Sequence, residues 1–73
     1  MTGIVSAVIR KSETRKGGYG FILDETHTER FFHASNLRDI TFEELREGTR
    51  VEFEPFSIPG KGDRAEDVRV LPR

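Results

Sequence analysis

The feature that most constrains how this chain folds is a set of five short segments in which residue types alternate as they do in β-strands. No segment has the length and period of an ordinary helix. The segments are residues 3–10, 19–23, 30–33, 49–56 and 65–71. They contain β-branched or aromatic residues, and glycine, proline or polar residues separate them. So short a chain has no helices with which to cover two faces of an open sheet. The sheet must therefore close on itself, and a small barrel also removes the open edges.

The longest stretch without a strand pattern is residues 34–48. Within it, Thr41 and Glu44 have the spacing of a capping box, which predicts one helical turn ending near Gly48. Gly20 lies in the middle of the second strand, where a glycine indicates a bulge, a tight bend or the close approach of another backbone. We therefore predict an all-β fold, a five-stranded antiparallel barrel with a long loop between strands 3 and 4.

Composition sets further limits. We expect a single domain over residues 1–73 with a thin core, since a chain of this size buries only about 60% of its unfolded surface. The sequence contains no Cys, which excludes a disulfide framework and any thiolate metal site. No run of apolar residues is longer than three, too few for a secretory segment or a membrane span. We expect a cytoplasmic protein with no membrane partner.

The charges are segregated, although the net charge is only −1. Residues 1–23 carry four basic side chains against one acidic, and residues 39–54 carry six acidic side chains against two basic. A small domain with two such lobes has a dipolar field that can orient an anionic partner. The alternative is that both runs are solvated loop faces.

The aromatic residues are concentrated in strands 2 and 3. Strand alternation places Tyr19 and Phe21 on one face, with Phe31 and His33 on the matching face of the next strand. Ile22 and Phe32 then point into the core. Ring side chains on the outward face of so small a barrel are costly unless something covers them, and nucleic-acid bases stack on such rings. The alternative is that the rings pack against a loop or against one another.

A five-residue motif opens the second strand, Gly18-Tyr19-Gly20-Phe21-Ile22, and it matches the core of the RNP1 pattern. In an RNA-recognition domain this motif follows a strand, a helix and another strand, for which the chain has no room. Barrels of the cold-shock and OB type carry it on the second strand, as here. The next strand holds Arg30-Phe31-Phe32-His33-Ala34-Ser35, which looks like the second RNA-binding motif of the cold-shock domain. The chain resembles the cold-shock domain family over nearly its whole length.

The resemblance implies an OB-type barrel that binds single-stranded RNA or DNA by base stacking and acts as an RNA chaperone or regulator of gene expression. The ring positions that match family base contacts are Tyr19, Phe21, Phe31, His33 and Phe42. The basic positions expected at the nucleic acid are Lys61 and Arg64 in the last loop and Arg15 and Lys16 in the first hairpin.

The chain departs from the family at the first strand and the first hairpin. Ser6, Ala7 and Val8 stand where the family has lysine, tryptophan and phenylalanine, and Ala34 stands where it has another aromatic residue. The first hairpin, residues 9–18, is longer than is usual in the family and adds basic side chains. We predict that phosphate contacts from this loop replace part of the lost stacking surface.

Other chemistries have little support in the sequence. No nucleophile motif is present, so we predict that the chain is not an enzyme and has no small-molecule substrate. His27 and His33 are its histidines, and with Asp24 and Glu25 they fit no standard zinc spacing, so we expect no metal and no cofactor. We expect a monomer. One alternative function stays open, an OB-type protein-interaction or ribosome-associated module that uses the acidic residues 39–54.

Overall fold

A computed structural model describes residues 1–10 and 18–72 of the chain. Its elements are β1 (Thr2–Ile9), β2 (Tyr19–Asp24), β3 (Glu29–His33), a short 3₁₀ turn (Ala34–Asn36), β4 (Arg50–Ile58) and β5 (Gly62–Val70). The strands close into a barrel in the order β1-β2-β3-β5-β4. The predicted five-stranded barrel with a long loop between strands 3 and 4 is confirmed. In the described part of the chain, no helix is long and apolar enough to cross a membrane.

Four of the five strand contacts are antiparallel, and the one that closes the barrel is parallel. β3 meets β5 at Phe31 and Arg64, and a further parallel bridge joins Leu37 to Val68. The sequence predicted antiparallel strands without this exception. The reason is geometric, because five strands around a closed ring cannot alternate in direction at every contact.

The core lies inside the barrel and is built from alternate residues of the strands. Ile22 and Phe32 are fully buried, as the alternation predicted. The other buried apolar side chains are Val5, Leu45, Val51, Phe53, Ala65 and Val68. Every strand thus contributes to a single core, with Leu45 added by the long loop.

Gly20 marks a close approach of backbone and ring. A Cβ atom at this position would lie 2.5 Å from the carbonyl oxygen of Ala7 and 2.7 Å from the Phe32 ring. Of the three roles that the sequence left open for this glycine, the structure shows close approach. The neighbouring strand carries a bulge of its own between Val5 and Ala7.

The long loop forms a hydrogen-bonded turn where the sequence predicted a helical turn. Glu44 and Leu45 donate their N–H groups to the carbonyls of Thr41 and Phe42, at 3.1 and 3.3 Å. The hydroxyl of Thr41 donates to the Glu44 carboxylate at 2.9 Å. No helix follows in this described segment. Since the Leu45 side chain is fully buried, the chain turns into the core there.

The last hairpin is longer than the sequence predicted. β4 runs to Ile58 and β5 starts at Gly62, so the loop between them shrinks to three residues. Pro55 lies within β4 and pairs with Ala65, whereas the sequence placed it at the strand end. β1 pairs only with residues 50–52 of β4, so Pro55 lies where β4 has a single neighbour and a missing N–H is tolerated.

Candidate nucleic-acid interface

The pairing of β2 with β3 brings four ring side chains onto one outward face. Tyr19 pairs with His33, and Phe21 pairs with Phe31. The partners between them, Gly20 and Phe32, point inward. We call Tyr19, Phe21, Phe31 and His33 the ring face.

The three aromatic rings of this face contact one another. Tyr19 and Phe31 stack with centroids 5.5 Å apart and planes at 27°. Phe21 meets Tyr19 and Phe31 edge to face, at 6.1 and 6.0 Å. The alternative that the rings pack on one another is therefore partly correct, yet all three remain half-exposed. Mutual packing holds the rings in place, so a ligand that stacks on them orders few side chains.

Arg64 extends the ring face onto β5. Its guanidinium carbon lies 4.6 Å from the centroid of the Phe31 ring, within the range of a cation–π contact. Its Nε atom is buried and has no hydrogen-bond partner among the described residues. The sequence-predicted Arg64 thus sits directly beside the stacked rings. Lys61 lies exposed in the β4–β5 turn, three residues earlier.

His33 is fixed by hydrogen bonds with the 3₁₀ turn that follows it. Its Nδ1 atom accepts the N–H of Ser35 at 3.0 Å and lies 2.9 Å from the Ser35 hydroxyl, while the His33 N–H donates to Asn36 Oδ1 at 2.8 Å. Because Nδ1 accepts a hydrogen bond from the backbone N–H of Ser35, the neutral ring carries its own hydrogen on Nε2. The exposed imidazole therefore has one defined donor for a base or a phosphate oxygen.

Phe42 packs over the start of β2. Gly18 has φ 149°, and a Cβ atom there would lie 2.2 Å from Cε2 of Phe42. Glycine is therefore required for the ring to lie where it does. The structure brings Phe42 to the residue that precedes Tyr19, half-buried against the core.

Arg10 has a role that the sequence did not reveal. Its Nη2 atom donates to the carbonyls of Phe42, Glu43 and Leu45, at 3.4, 3.2 and 2.8 Å. Its guanidinium also lies 5.6 Å from the Phe42 ring centroid. Arg10 thus binds the long loop. Arg15 and Lys16, the other predicted cations of the first hairpin, lie outside the described residues.

The three residues of β1 that differ from the cold-shock domain pattern lie in different environments in the barrel. Ala7 pairs with Phe21 on the outward face, so the missing tryptophan leaves a gap beside the rings. Ser6 lies at the bulge and donates its hydroxyl to the carbonyl of Phe21 at 3.2 Å. Val8 pairs with Gly20 and packs against the core. The bulge between Val5 and Ala7 turns Val8 inward, so the side chain at this position faces the core and not the ring face.

Asp24, one of the side chains considered for a metal, forms hydrogen bonds within the fold. Asp24 is buried and accepts from Thr26, Thr28 and Arg30. Burial alone would raise its pKa, but these hydrogen bonds outweigh burial and hold the pKa of Asp24 well below its ordinary value. Among residues 1–10 and 18–72, no three potential ligands of the kinds that hold a metal converge.

A small closed barrel that presents clustered rings edged by arginine has the form of an OB-type nucleic-acid-binding domain. The family model described as the 'Cold-shock' DNA-binding domain matches residues 1–71. A cold shock-like protein of Aquifex aeolicus (strain VF5) is 40% identical over 55 residues, which are 74% of this chain and 77% of that protein. The chain belongs to the cold-shock domain family and carries a nucleic-acid-binding domain.

Proposed function

We propose that the protein binds single-stranded RNA or DNA by stacking bases on the ring face, and that it acts as an RNA chaperone or a regulator of gene expression. The observation that supports this most directly is the ring face itself. Three aromatic rings and an imidazole lie together on the outside of the barrel, held by mutual contacts and by Ser35.

Single strands fit this surface better than duplexes do. Every base has a π-face, and stacking on an aromatic side chain contributes about 1–3 kcal/mol per base. The bases of a duplex are already stacked on each other, so they cannot reach the rings without unpairing. The same chemistry gives little dependence on base identity, with a mild preference for flexible pyrimidine-rich strands.

The phosphates meet only a few cations. Arg64 borders the rings and Lys61 lies in the adjoining turn, while Arg15 and Lys16 belong to the first hairpin. The net charge of −1 gives the protein no overall electrostatic attraction for a polyanion. Binding of this kind is moderate and reversible, which suits a chaperone that keeps RNA strands unpaired and then releases them.

Tyrosine fluorescence provides a direct test. The sequence has one Tyr and no Trp, so the intrinsic emission reports on Tyr19 alone. We expect a short pyrimidine-rich single strand to quench this emission in a saturable titration, and a duplex of the same sequence to bind far more weakly. Equal binding of both forms, or no saturable binding of either, would contradict the proposal.

The alternative role for the acidic residues 39–54 receives no specific support. Asp39 accepts the N–H of Val70 at 3.0 Å, and Glu47 accepts the N–H of Val8 at 3.4 Å. These carboxylates hold the loop on the barrel, as does the Arg38 ion pair with Asp67. We therefore do not advance a protein-interaction function.

A further inference from the structure

The outward surface of β1, β2 and β3 continues beyond the ring face. The strand register arranges it in three rows, of which the first two contain the rings. The third row consists of Ile4, Leu23 and Glu29. Ile4 is 48% and Leu23 40% exposed, so two aliphatic side chains lie open to solvent side by side. Strand geometry places Leu23 about 6.6 Å along β2 from Phe21, which is two residues of rise.

A groove of about 250 Å³ lies beside this third row. Ile4 and Leu23 form its apolar side, and Arg50, Glu25 and His27 border it. This volume is below the roughly 300–1,000 Å³ of pockets for drug-sized ligands. The groove therefore suits a small unit such as a single nucleotide.

The turn that borders the groove is held in shape. His27 has φ 65°, a left-handed conformation that few non-glycine residues adopt, and its N–H donates to the Asp24 carbonyl at 2.9 Å. The Asp24 carboxylate accepts the N–H groups of Thr26 and Thr28 at 2.8 and 3.0 Å. The backbone of His27 is thus held in place at the rim of the groove.

The charges at the groove allow an anion at one side. Asp24 is paired with Arg30 at 2.8 Å and is buried, so its charge is neutralised within the fold. Glu25 is exposed and repels phosphate. Arg50 pairs with Ile4 across the strands, is exposed, and has no ion-pair partner in the described part of the chain. A phosphate would therefore be held on the Arg50 side.

We infer that the third row and its groove bind one further nucleotide of the same single strand, with the base on Ile4 and Leu23 and the phosphate on Arg50. This inference rests on the proposed function, because it extends a strand that is already bound to the ring face. The gap left by Ala7 favours this route, since β1 offers no ring there and the apolar surface continues along β2 instead.

Length dependence tests the inference. We compare the wild type with the double variant Ile4→Thr/Leu23→Thr. For each protein, the affinity is measured for a series of thymidine oligonucleotides that starts with the dinucleotide and grows by one nucleotide at a time. Threonine is a strand former, and both positions are exposed, so the barrel is retained. We expect the variant to bind the shortest oligonucleotides normally and to lose about fivefold in affinity for the longer ones, the effect of losing about 40 Å² of buried apolar contact with the base.

Arg50→Gln gives a second test that does not depend on the threonine variant. It is expected to lower the salt slope by roughly 0.7 for long oligonucleotides only, the effect of one phosphate contact on a single strand. The matched control is Arg69→Gln, because Arg69 is an exposed cation on β5. It should leave the salt slope unchanged for both short and long oligonucleotides.

The outcomes separate the two proposals. If the wild type binds no oligonucleotide of any length, the proposed function fails. If it binds but the variants weaken all lengths equally, or none, only the groove inference is overturned. The inference also fails if the wild type dimerises and Ile4→Thr/Leu23→Thr abolishes the dimer without changing length dependence, because the third row would then be a contact between copies.

Discussion

The guanidinium of Arg10 lies over the ring of Phe42, 5.6 Å from its centroid, and donates to the carbonyl of the same residue. It also binds the carbonyls of Glu43 and Leu45. One side chain at the end of β1 therefore holds the turn that carries Phe42, more than thirty residues away along the chain. This arrangement links the barrel to the loop whose aromatic residue we expect to contact a base.

Arg10→Ala is expected to loosen the long loop and to weaken binding without changing its dependence on salt. The variant loses three hydrogen bonds at an exposed site, so we expect a stability loss of roughly 1 kcal/mol, measured by urea denaturation. Arg10→Lys keeps the charge but not the planar group, and should behave like the alanine variant. A lower salt slope in Arg10→Ala alone would instead indicate a phosphate contact.

Replacing Arg15 and Lys16 by Ser should do the opposite, changing the salt dependence of binding and not the stability of the fold. Each phosphate neutralised on a single strand adds roughly 0.7 to the magnitude of the log–log salt slope, so two contacts amount to about 1.4. We expect the double variant to lower the slope by that amount and to keep the wild-type stability. An unchanged slope would mean that these side chains stay in solvent, and the idea that the first hairpin compensates for the lost rings would be dropped.

The face assignment could be predicted from the sequence because it depends on a local rule. Side chains alternate across a strand, so Ile22 and Phe32 had to share the inside once Tyr19, Phe21 and Phe31 were placed outside. The order of the motifs predicted which type of fold carries them. The Gly18–Ile22 motif comes before any segment long enough for a helix, which excludes an RNA-recognition domain and favours an OB-type barrel.

The features that the sequence did not reveal depend on non-local contacts. The bulge between Val5 and Ala7 breaks the alternation of side chains in β1 and turns Val8 inward. No residue type in β1 predicts this bulge. The Arg10 contacts join residues far apart in the chain. In each case the deciding partner comes from another strand or from the long loop.

Acid should destabilise the protein through Asp24. Its pKa in the folded state lies below the ordinary value of 3.8, because hydrogen bonds from Thr26, Thr28 and Arg30 outweigh the effect of burial. The ionised carboxylate therefore stabilises the fold fully above that value, and this contribution is lost as the pH falls below it. Urea denaturation between neutral pH and pH values below 3.8 measures the loss.

Asp24→Asn tests the origin of this acid dependence. Removing one partner of a buried ion pair costs about 3–5 kcal/mol, so the variant is expected to be much less stable at neutral pH. Its stability should also fall less steeply with acid than that of the wild type. Glu25→Gln, at the exposed neighbouring position, is the matched control and should keep the wild-type profile. A wild-type acid slope in Asp24→Asn would assign the effect to other carboxylates, such as Asp67, whose pKa the Arg38 hydrogen bond also lowers.

Phe31→Ala and Phe32→Ala, at adjacent positions in β3, are expected to separate binding from folding. Phe31 lies on the ring face, so its loss should weaken single-strand binding by about 1–3 kcal/mol. Its contacts with Tyr19 and Phe21 add a stability loss of about 1 kcal/mol. Phe32 is fully buried, and its truncation should cost about 3–5 kcal/mol, enough to unfold so small a domain. Thermal denaturation and Tyr19 titration measure the two effects, and a Phe32→Ala variant that folds normally but binds poorly would invert the face assignment.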